Sequence, residues 1–260
     1  MKILAACVLS TLAFSAFTGA YAADANKGVV TRDWSDTVAP ADQNAYEAGV
    51  KAYNQCLRDN GVKYDEDAYV HETGDTYKYS YVIGPYTWAD FDTLRTQSKP
   101  CDAVWRAQAN PHLKSETSAF MVDQPEMSHM PADWGKNKMR PPLIHVLYFT
   151  LNQGHAANEA FTSVLKKAAA AADKSKWPYY YRVVAVQGGD DGSPDYLVVI
   201  PNKSWADFGA DPDPTFWKMV GSVYGQADTD AMRKSFGEAV KTTSDHVDSY
   251  SADLTYTAGK

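Results

Sequence analysis

Apolar and polar positions follow the periods of strands and helices in the second half of the chain. Leu143 to Leu151 is a dense apolar run rich in branched and aromatic residues, which predicts a strand. Residues 155 to 174 carry apolar side chains three and four positions apart, the spacing of one helix face. Trp177-Pro178 follows and predicts the end of that helix.

Three more strands and a second helical region complete this half. The predicted elements are strands at Tyr179 to Gln187 and Asp195 to Ile200, a helical region at Phe216 to Val240 broken near Gly225 to Asp228, and a strand at His246 to Tyr256. A loop rich in Gly and Asp joins the two middle strands as a hairpin. The predicted order is therefore βαββαβ.

The first half gives the same order with weaker signals. Tyr46, Val50, Tyr53 and Leu57 are spaced as one helix face. Around this helix we predict strands at Val29 to Val38, Ala68 to Thr73, Tyr77 to Ile83 and Thr117 to Asp123, with a second helix at Cys101 to Ala109.

A direct internal repeat supports the duplication. Residues 79 to 91 read YSYVIGPYTWADF and residues 196 to 208 read YLVVIPNKSWADF, so that seven of thirteen positions are identical at one offset, including the Trp-Ala-Asp-Phe box. We predict a first repeat over 23–123, a linker over 124–141 and a second repeat over 142–260.

A βαββαβ unit forms a four-stranded antiparallel sheet with both helices on one face. Two such sheets can cover each other's bare faces, which predicts an α+β fold in which two ferredoxin-like repeats form a barrel within one chain. Cys56 ends the first predicted helix and Cys101 begins the second. Because these helices run antiparallel, the two cysteines are predicted to form a disulfide.

The N-terminus predicts export. Lys2 precedes an apolar run from Ile3 to Phe17, and Ala20-Tyr21-Ala22 is typical of a signal-peptidase site with cleavage after Ala22. A lipoprotein site before Cys7 is the alternative, but it would leave almost no apolar segment for export. The mature protein is thus predicted to be periplasmic or extracellular, where disulfides form.

The charge balance narrows the classes of partner. The formal net charge is −7, and it becomes about −8 when Lys2 leaves with the signal peptide, which disfavours nucleic acid and anionic membrane surfaces.

The strand-to-helix passage from Phe149 to His155, with Phe161 on the helix and the segment from Tyr196 to Phe208, resembles the dimeric α+β barrel superfamily. The likeness is greatest to secreted bacterial members near the antibiotic-biosynthesis-monooxygenase and NIPSNAP-like groups. The resemblance implies a barrel usually built by two chains, and here by one, so a monomer is expected. It leaves function open, because the superfamily contains cofactor-free oxygenases and haem enzymes.

The resemblance also implies a pocket between the sheet and the helices. Candidate catalytic residues on the strands are His145, His71 and Arg182, with His145 as a possible base. Candidate pocket residues are aromatic: Tyr181, Tyr196, Trp205, Tyr79 and Trp88. The competing interpretation is that these aromatic side chains are ordinary core, and that the Trp-Ala-Asp-Phe boxes begin helices.

No two of the six histidines stand at metal-ligand spacing, so no dedicated zinc site and no cofactor are predicted. A haem needs a single axial histidine, which spacing does not exclude. We therefore expect a protein that binds a small apolar or aromatic molecule. The alternatives are a cofactor-independent enzyme of the monooxygenase-like type and a haem-binding protein, and the sequence does not decide whether the chain is an enzyme.

Overall fold

A computed structural model describes residues 29–131 and 140–259. The predicted signal peptide, its cleavage site and Cys7 lie outside these residues, as does the middle of the predicted linker. Within the described ranges, no helix is long and apolar enough to cross a membrane.

The first repeat contains four strands and three helices. These are β1 (Val30–Val38), α1 (Gln43–Asp59), β2 (Glu66–His71), β3 (Lys78–Tyr86), α2 (Trp88–Ser98), α3 (Asp102–Gln108) and β4 (Leu113–Asp123). The second repeat contains β5 (Leu143–Leu151), α4 (His155–Ser175), β6 (Arg182–Gln187), β7 (Tyr196–Asn202), α5 (Trp205–Phe208), α6 (Phe216–Tyr224), α7 (Gln226–Ala239) and β8 (Val240–Tyr250).

The eight strands form one closed antiparallel barrel in the order β1-β3-β2-β8-β5-β7-β6-β4. The two repeats meet where β2 pairs with β8 and where β4 pairs with β6. The predicted fold class, two βαββαβ units that close an α+β barrel within one chain, is confirmed. The domain limits at residues 23, 123 and 142 stay a prediction.

Two predicted elements were misplaced. The last strand begins at Val240, not at His246, because its first half is solvent-exposed and polar and so gives no apolar alternation. The helix predicted over Cys101 to Ala109 is only the last part of the second helical region of the first repeat, α3, and the region begins at Trp88, where the Trp-Ala-Asp-Phe box was expected to begin a helix. There Thr87 and Asp90 form a capping box that starts α2, and a 3₁₀ turn joins it to α3.

The predicted disulfide is confirmed. Cys56 and Cys101 are bonded, with 5.8 Å between their Cα atoms, and the bridge ties α1 to the turn between α2 and α3. The second repeat has no cysteine. Its helices are instead held by a continuous apolar core that includes Phe161, Val164 and Met219.

Candidate functional site

A cavity of about 430 Å³ lies between the sheet and the helices of the first repeat. Its floor is the outer face of β1 and β3, and its walls are α1, α2 and α3. The disulfide fixes the helical wall, because Tyr53 precedes Cys56 by less than one helical turn, and Ser98 and Asp102 flank Cys101 and line the same cavity. We call this cavity the first-repeat pocket.

Six of the residues that line the first-repeat pocket are aromatic. Those that line it are Trp34, Tyr53, Tyr64, Tyr81, Phe91 and Trp105. The rings of Tyr53 and Trp105 meet edge to face with 5.4 Å between their centroids. An apolar wall of this kind with a few polar groups is typical of a small-molecule site.

The polar end of the pocket is an acidic cluster of Asp36, Glu66 and Glu116. Asp36 is fully buried, and the hydroxyl of Tyr46 donates a hydrogen bond of 2.5 Å to its Oδ2. The other carboxylate oxygen, Oδ1, receives no hydrogen bond from an N–H or O–H donor that meets geometric criteria among the described residues, although the side chain of Asp36 also interacts with the carboxyl group of Glu116. A buried acceptor without a partner is costly unless a ligand or water satisfies it.

Burial shifts the titration of this cluster toward neutral pH. Loss of hydration raises the pKa of Asp36 to about 7; the hydrogen bond from Tyr46 opposes the rise and the charge of Glu116 adds to it. Burial also raises the pKa of Glu66 to about 8, with a further contribution from the charges of Asp36 and Asp67. The cluster therefore retains protons near pH 7 and can both accept and release them.

Arg32 also lines the pocket and lies four positions before Asp36 on the same face of β1. Its guanidinium lies over the ring of Trp34 at 4.3 Å and donates a hydrogen bond of 3.3 Å to Ser118. Burial lowers its pKa, while the charge of Glu116 opposes that change. Arg32 thus brings a positive charge to the aromatic side of the pocket.

The fold does not require these polar groups, because the second repeat replaces them. Asp36 pairs with Tyr79 across β1 and β3, and Phe149 pairs with Tyr196 across β5 and β7. Since Tyr79 and Tyr196 are equivalent in the repeat, Asp36 corresponds to Phe149. By the same registers Glu66 corresponds to Tyr181 and Arg32 to His145.

The corresponding space in the second repeat is filled. Phe161 is fully buried and packs against Phe149 and Tyr196, with ring centroids 5.5 Å and 4.8 Å apart. Phe236 stacks on Phe161 from α7 at 5.3 Å. Among the described residues, this place therefore holds a cavity in the first repeat and aromatic side chains in the second.

The predicted pocket residues of the second repeat lie mostly in this core. Tyr181 and Tyr196 are buried, and the Tyr196 hydroxyl donates to Asn158 at 2.7 Å. Trp205 is 50% exposed at the start of α5. His145 faces the helix layer, where its Nε2 lies 2.8 Å from an oxygen of Asp245.

The predicted pocket residues of the first repeat lie beside the first-repeat pocket. The Tyr79 hydroxyl donates to Glu47 at 2.9 Å. Trp88 begins α2 and packs on Phe120, with 4.9 Å between ring centroids. Tyr81, two positions from Tyr79 on the same strand face, does line the pocket.

His71 and Arg182 face the inside of the barrel instead of the helices. Arg182 lines an interior cavity of about 350 Å³, is ion-paired with Asp123 and donates a hydrogen bond of 3.0 Å to Thr31. His71 stacks on His246, with 3.9 Å between ring centroids. Burial lowers the pKa of His71 to about 4, with the charge of Asp248 opposing the change, so its imidazole is neutral at pH 7.

Sequence reasoning missed Arg32, Asp36, Glu66 and Glu116. A signal was present, because Arg32, Trp34, Asp36 and Val38 alternate along β1 and so share its helix-facing side. Charged residues at such positions are seldom buried without a purpose.

Between the sheet and the helices, the described residues do not fit a haem group. No histidine is among the described residues that line the first-repeat pocket, so the expected axial ligand has no counterpart there. The equivalent space of the second repeat is occupied by Phe149, Phe161 and Phe236.

No family model matches the chain, and no curated protein matches it. Solved structures do match over most of their length. A protein named as a monooxygenase from Lactobacillus acidophilus has a TM-score of 0.51 and 11% identity, with 88% of this chain and 96% of that chain covered.

An anthrone oxidase-like protein has a TM-score of 0.52 and 10% identity, covering 91% of this chain and 96% of its own. A mutant chlorite dismutase from Candidatus Nitrospira defluvii in complex with cyanide has a TM-score of 0.52 and 12% identity, covering 87% and 92%. At identities of 10–12% the likeness shows the fold alone, an α+β barrel of antiparallel strands with helices on its outside.

Proposed function

We propose that this protein binds a small aromatic molecule with a hydroxyl group in the first-repeat pocket. The observation that carries the proposal is the contrast between the repeats. One repeat fills the space between sheet and helices with aromatic core, and the other keeps a cavity of about 430 Å³ there. That volume is within the range of about 300–1,000 Å³ typical of ligand sites.

The chemistry of the walls selects the ligand class. Trp34, Tyr53 and Trp105 offer ring faces and edges to an aromatic ligand. At the inner end, Oδ1 of Asp36 is an acceptor that needs a donor. A phenol or enol satisfies both ends, because its ring packs on the aromatic wall and its hydroxyl donates to Asp36.

Binding of 2-naphthol, measured by isothermal titration calorimetry, tests this function. Leu94 lines the pocket from α2, so Leu94→Trp fills it, whereas Thr93 is exposed on the same helix and Thr93→Trp serves as the matched control. We expect the wild type and Thr93→Trp to bind and Leu94→Trp to lose binding. Equal binding by the two variants, or none by the wild type, contradicts the proposal.

A second candidate function is cofactor-independent oxygenation in the same pocket, favoured by the pKa of Asp36 near 7. A base with a pKa near the working pH is best suited to remove a substrate proton. Asp36 would take a proton from an activated methylene group, and the resulting carbanion would form a C–O bond to O₂. The peroxide anion would take the proton back from Asp36, and its O–O bond would break as the second methylene proton leaves. Loss of water then leaves a carbonyl, so one methylene and one O₂ give one carbonyl and one water.

Oxygen uptake with anthrone as trial substrate tests this second function. The expected product is anthraquinone, followed by its absorbance, and Asp36→Asn should abolish its formation while Asp253→Asn, at an exposed carboxylate, should not. Anthraquinone formation at the same rate by Asp36→Asn would exclude Asp36 as the base. Ligand binding without oxygen uptake would leave the protein as a binder.

We also propose that the mature protein is exported and monomeric. The disulfide supports export, because such bonds persist in oxidising compartments. The closed barrel supports a monomer, since β2, β4, β6 and β8, which end the two sheets, pair with one another within the chain. Light scattering after gel filtration should give the monomer mass; a dimer would contradict this.

A further inference from the structure

A second cluster of chemically active side chains lies where β2 pairs with β8, on the opposite face of the sheet from the first-repeat pocket. His71 is the last residue of β2 and pairs with Asp248 of β8. His246 precedes Asp248 by two positions on β8, so both side chains point to the same face of that strand. This face is the inside of the barrel, where Asp248 lines the interior cavity.

The three side chains converge on a small volume. Nε2 of His246 lies 3.1 Å from the carboxylate of Asp248, and Nε2 of His71 lies 3.7 Å from it. One ligand atom from each residue lies within 4.8 Å of the other two. Metal–ligand bonds of about 2.0–2.2 Å place ligand atoms about 3–4 Å apart, so a small side-chain rotation brings all three into range.

Two atoms of this cluster lack hydrogen-bond partners among the described residues. They are Nε2 of His71, whose residue is 7% exposed, and Oδ1 of Asp248, whose residue is 2% exposed. Their separation of 3.7 Å is too long for a hydrogen bond. Oδ1 of Asp248 also lies 3.1 Å from Nε2 of His246, so one cation between the three side chains would satisfy the buried imidazole nitrogen of His71 and the buried carboxylate oxygen together.

The barrel does not need these residues at the seam between the repeats, which is the pairing of β2 with β8. The internal repeat supplies a matched seam where β4 pairs with β6, and there Met121 pairs with Val186 as Asp248 pairs with His71. The same registers make Ala119 the counterpart of His246. One seam is thus closed by three apolar residues and the other carries two histidines and an aspartate.

We propose that His71, His246 and Asp248 form a binding site for one divalent transition-metal ion. Two imidazoles and one carboxylate are a ligand set for Zn²⁺ or Fe²⁺, and three protein ligands leave coordination positions open. Because Asp248 borders the interior cavity, the open positions face a space that admits water or a small anion. The imidazole of His246 also stacks on the ring of Tyr148, with 5.2 Å between the ring centroids.

Titration of chelator-treated protein with Co²⁺ tests the site, because bound Co²⁺ absorbs visible light in a way that depends on its ligands. We expect one equivalent to bind, and Zn²⁺ to displace it. His71→Ala and Asp248→Asn should each weaken binding by at least about 100-fold, since even residues that only support metal ligands cost 10–100-fold.

His145→Ala is the matched control. His145 also lies on a barrel strand and contacts an aspartate at 2.8 Å, but it has no second histidine beside it. This variant should keep wild-type affinity. Loss of Co²⁺ binding in His145→Ala with retention in His71→Ala would overturn the assignment, as would failure of the wild type to bind.

The wild type alone decides the matter if a variant does not fold. In a ¹H NMR titration with Zn²⁺, ring-proton signals of two of the six histidines should shift together and saturate at one equivalent. Shifts of a single histidine, or of the exposed His155 in the same concentration range, would contradict the site.

Discussion

Replacement of Asp36 by asparagine changes how stability depends on pH. The pKa of Asp36 is raised from 3.8 to about 7 in the folded protein, chiefly by burial. The folded state therefore holds a proton more tightly than the unfolded chain. The stability that this proton contributes is fully present below pH 3.8 and is lost as the pH rises through 7.

The size of the effect follows from the two pKa values. A carboxyl that titrates at 3.8 when unfolded and about 7 when folded contributes about 4 kcal/mol in total, of which about 2.5 kcal/mol is lost between pH 5 and pH 8. Asparagine has no proton to lose at this position, and its side-chain oxygen can still accept the hydrogen bond from Tyr46.

Urea unfolding at pH 5 and pH 8, followed by tryptophan fluorescence, measures the difference. Between these pH values we expect Asp36→Asn to lose about 2.5 kcal/mol less of the free energy of unfolding than the wild type. At pH 8 it should be the more stable of the two. Asp253→Asn, at a side chain that is 84% exposed, should behave as the wild type. Equal losses in the wild type and Asp36→Asn would refute a buried, raised Asp36.

Three further predictions concern stability. The disulfide closes a loop of 45 residues, so replacing Cys56 and Cys101 by alanine should cost about 4 kcal/mol in urea unfolding; an unchanged midpoint would refute this. Phe161→Ala empties the filled space of the second repeat and should cost about 3–5 kcal/mol by thermal unfolding, while 2-naphthol affinity stays unchanged. Gly49→Ala would place a Cβ 2.3 Å from the Gln108 carbonyl oxygen, so we expect a loss of about 1–3 kcal/mol together with weaker 2-naphthol binding.

The architecture could be predicted because the sequence contains two copies of the same unit. The box from Trp205 to Phe208 repeats that from Trp88 to Phe91, and in both copies the residue before the box caps the helix. Thr87 does so in a full capping box with Asp90, and the Ser204 side chain accepts a hydrogen bond from the backbone N–H of Asp207. Such local signals depend on neighbours in sequence. The exposed first half of β8 gave no such signal, and its start was placed six residues late.

The candidate site could be predicted only in part. The sequence pointed to the space between sheet and helices, where the first repeat has a cavity, but three of its five aromatic candidates belong to the second repeat. Whether Tyr196 lines a pocket or fills a core depends on Phe161, which stacks on it from α4, and on Phe236, which stacks on Phe161 from α7. Packing of this kind is set by the whole fold and leaves no mark in strand periodicity.

The cluster of His71, His246 and Asp248 could not be predicted from the sequence for a related reason. His71 and His246 lie 175 positions apart and meet only because β2 pairs with β8 in one register. A shift of that register by one residue would turn the His71 side chain away from Asp248. Metal-ligand spacing along the chain predicted no metal site because the ligands come from different repeats.

The central claim is that the first repeat holds a ligand pocket, whereas side chains fill the corresponding space in the second repeat. Two-dimensional NMR of the indole N–H signals during titration with 2-naphthol tests this directly, because Trp34 and Trp105 line that pocket and Trp217 packs on the filled core of the second repeat. We predict that the Trp34 and Trp105 signals shift and saturate while the Trp217 signal stays in place. A shift of Trp217 without the other two would contradict the account.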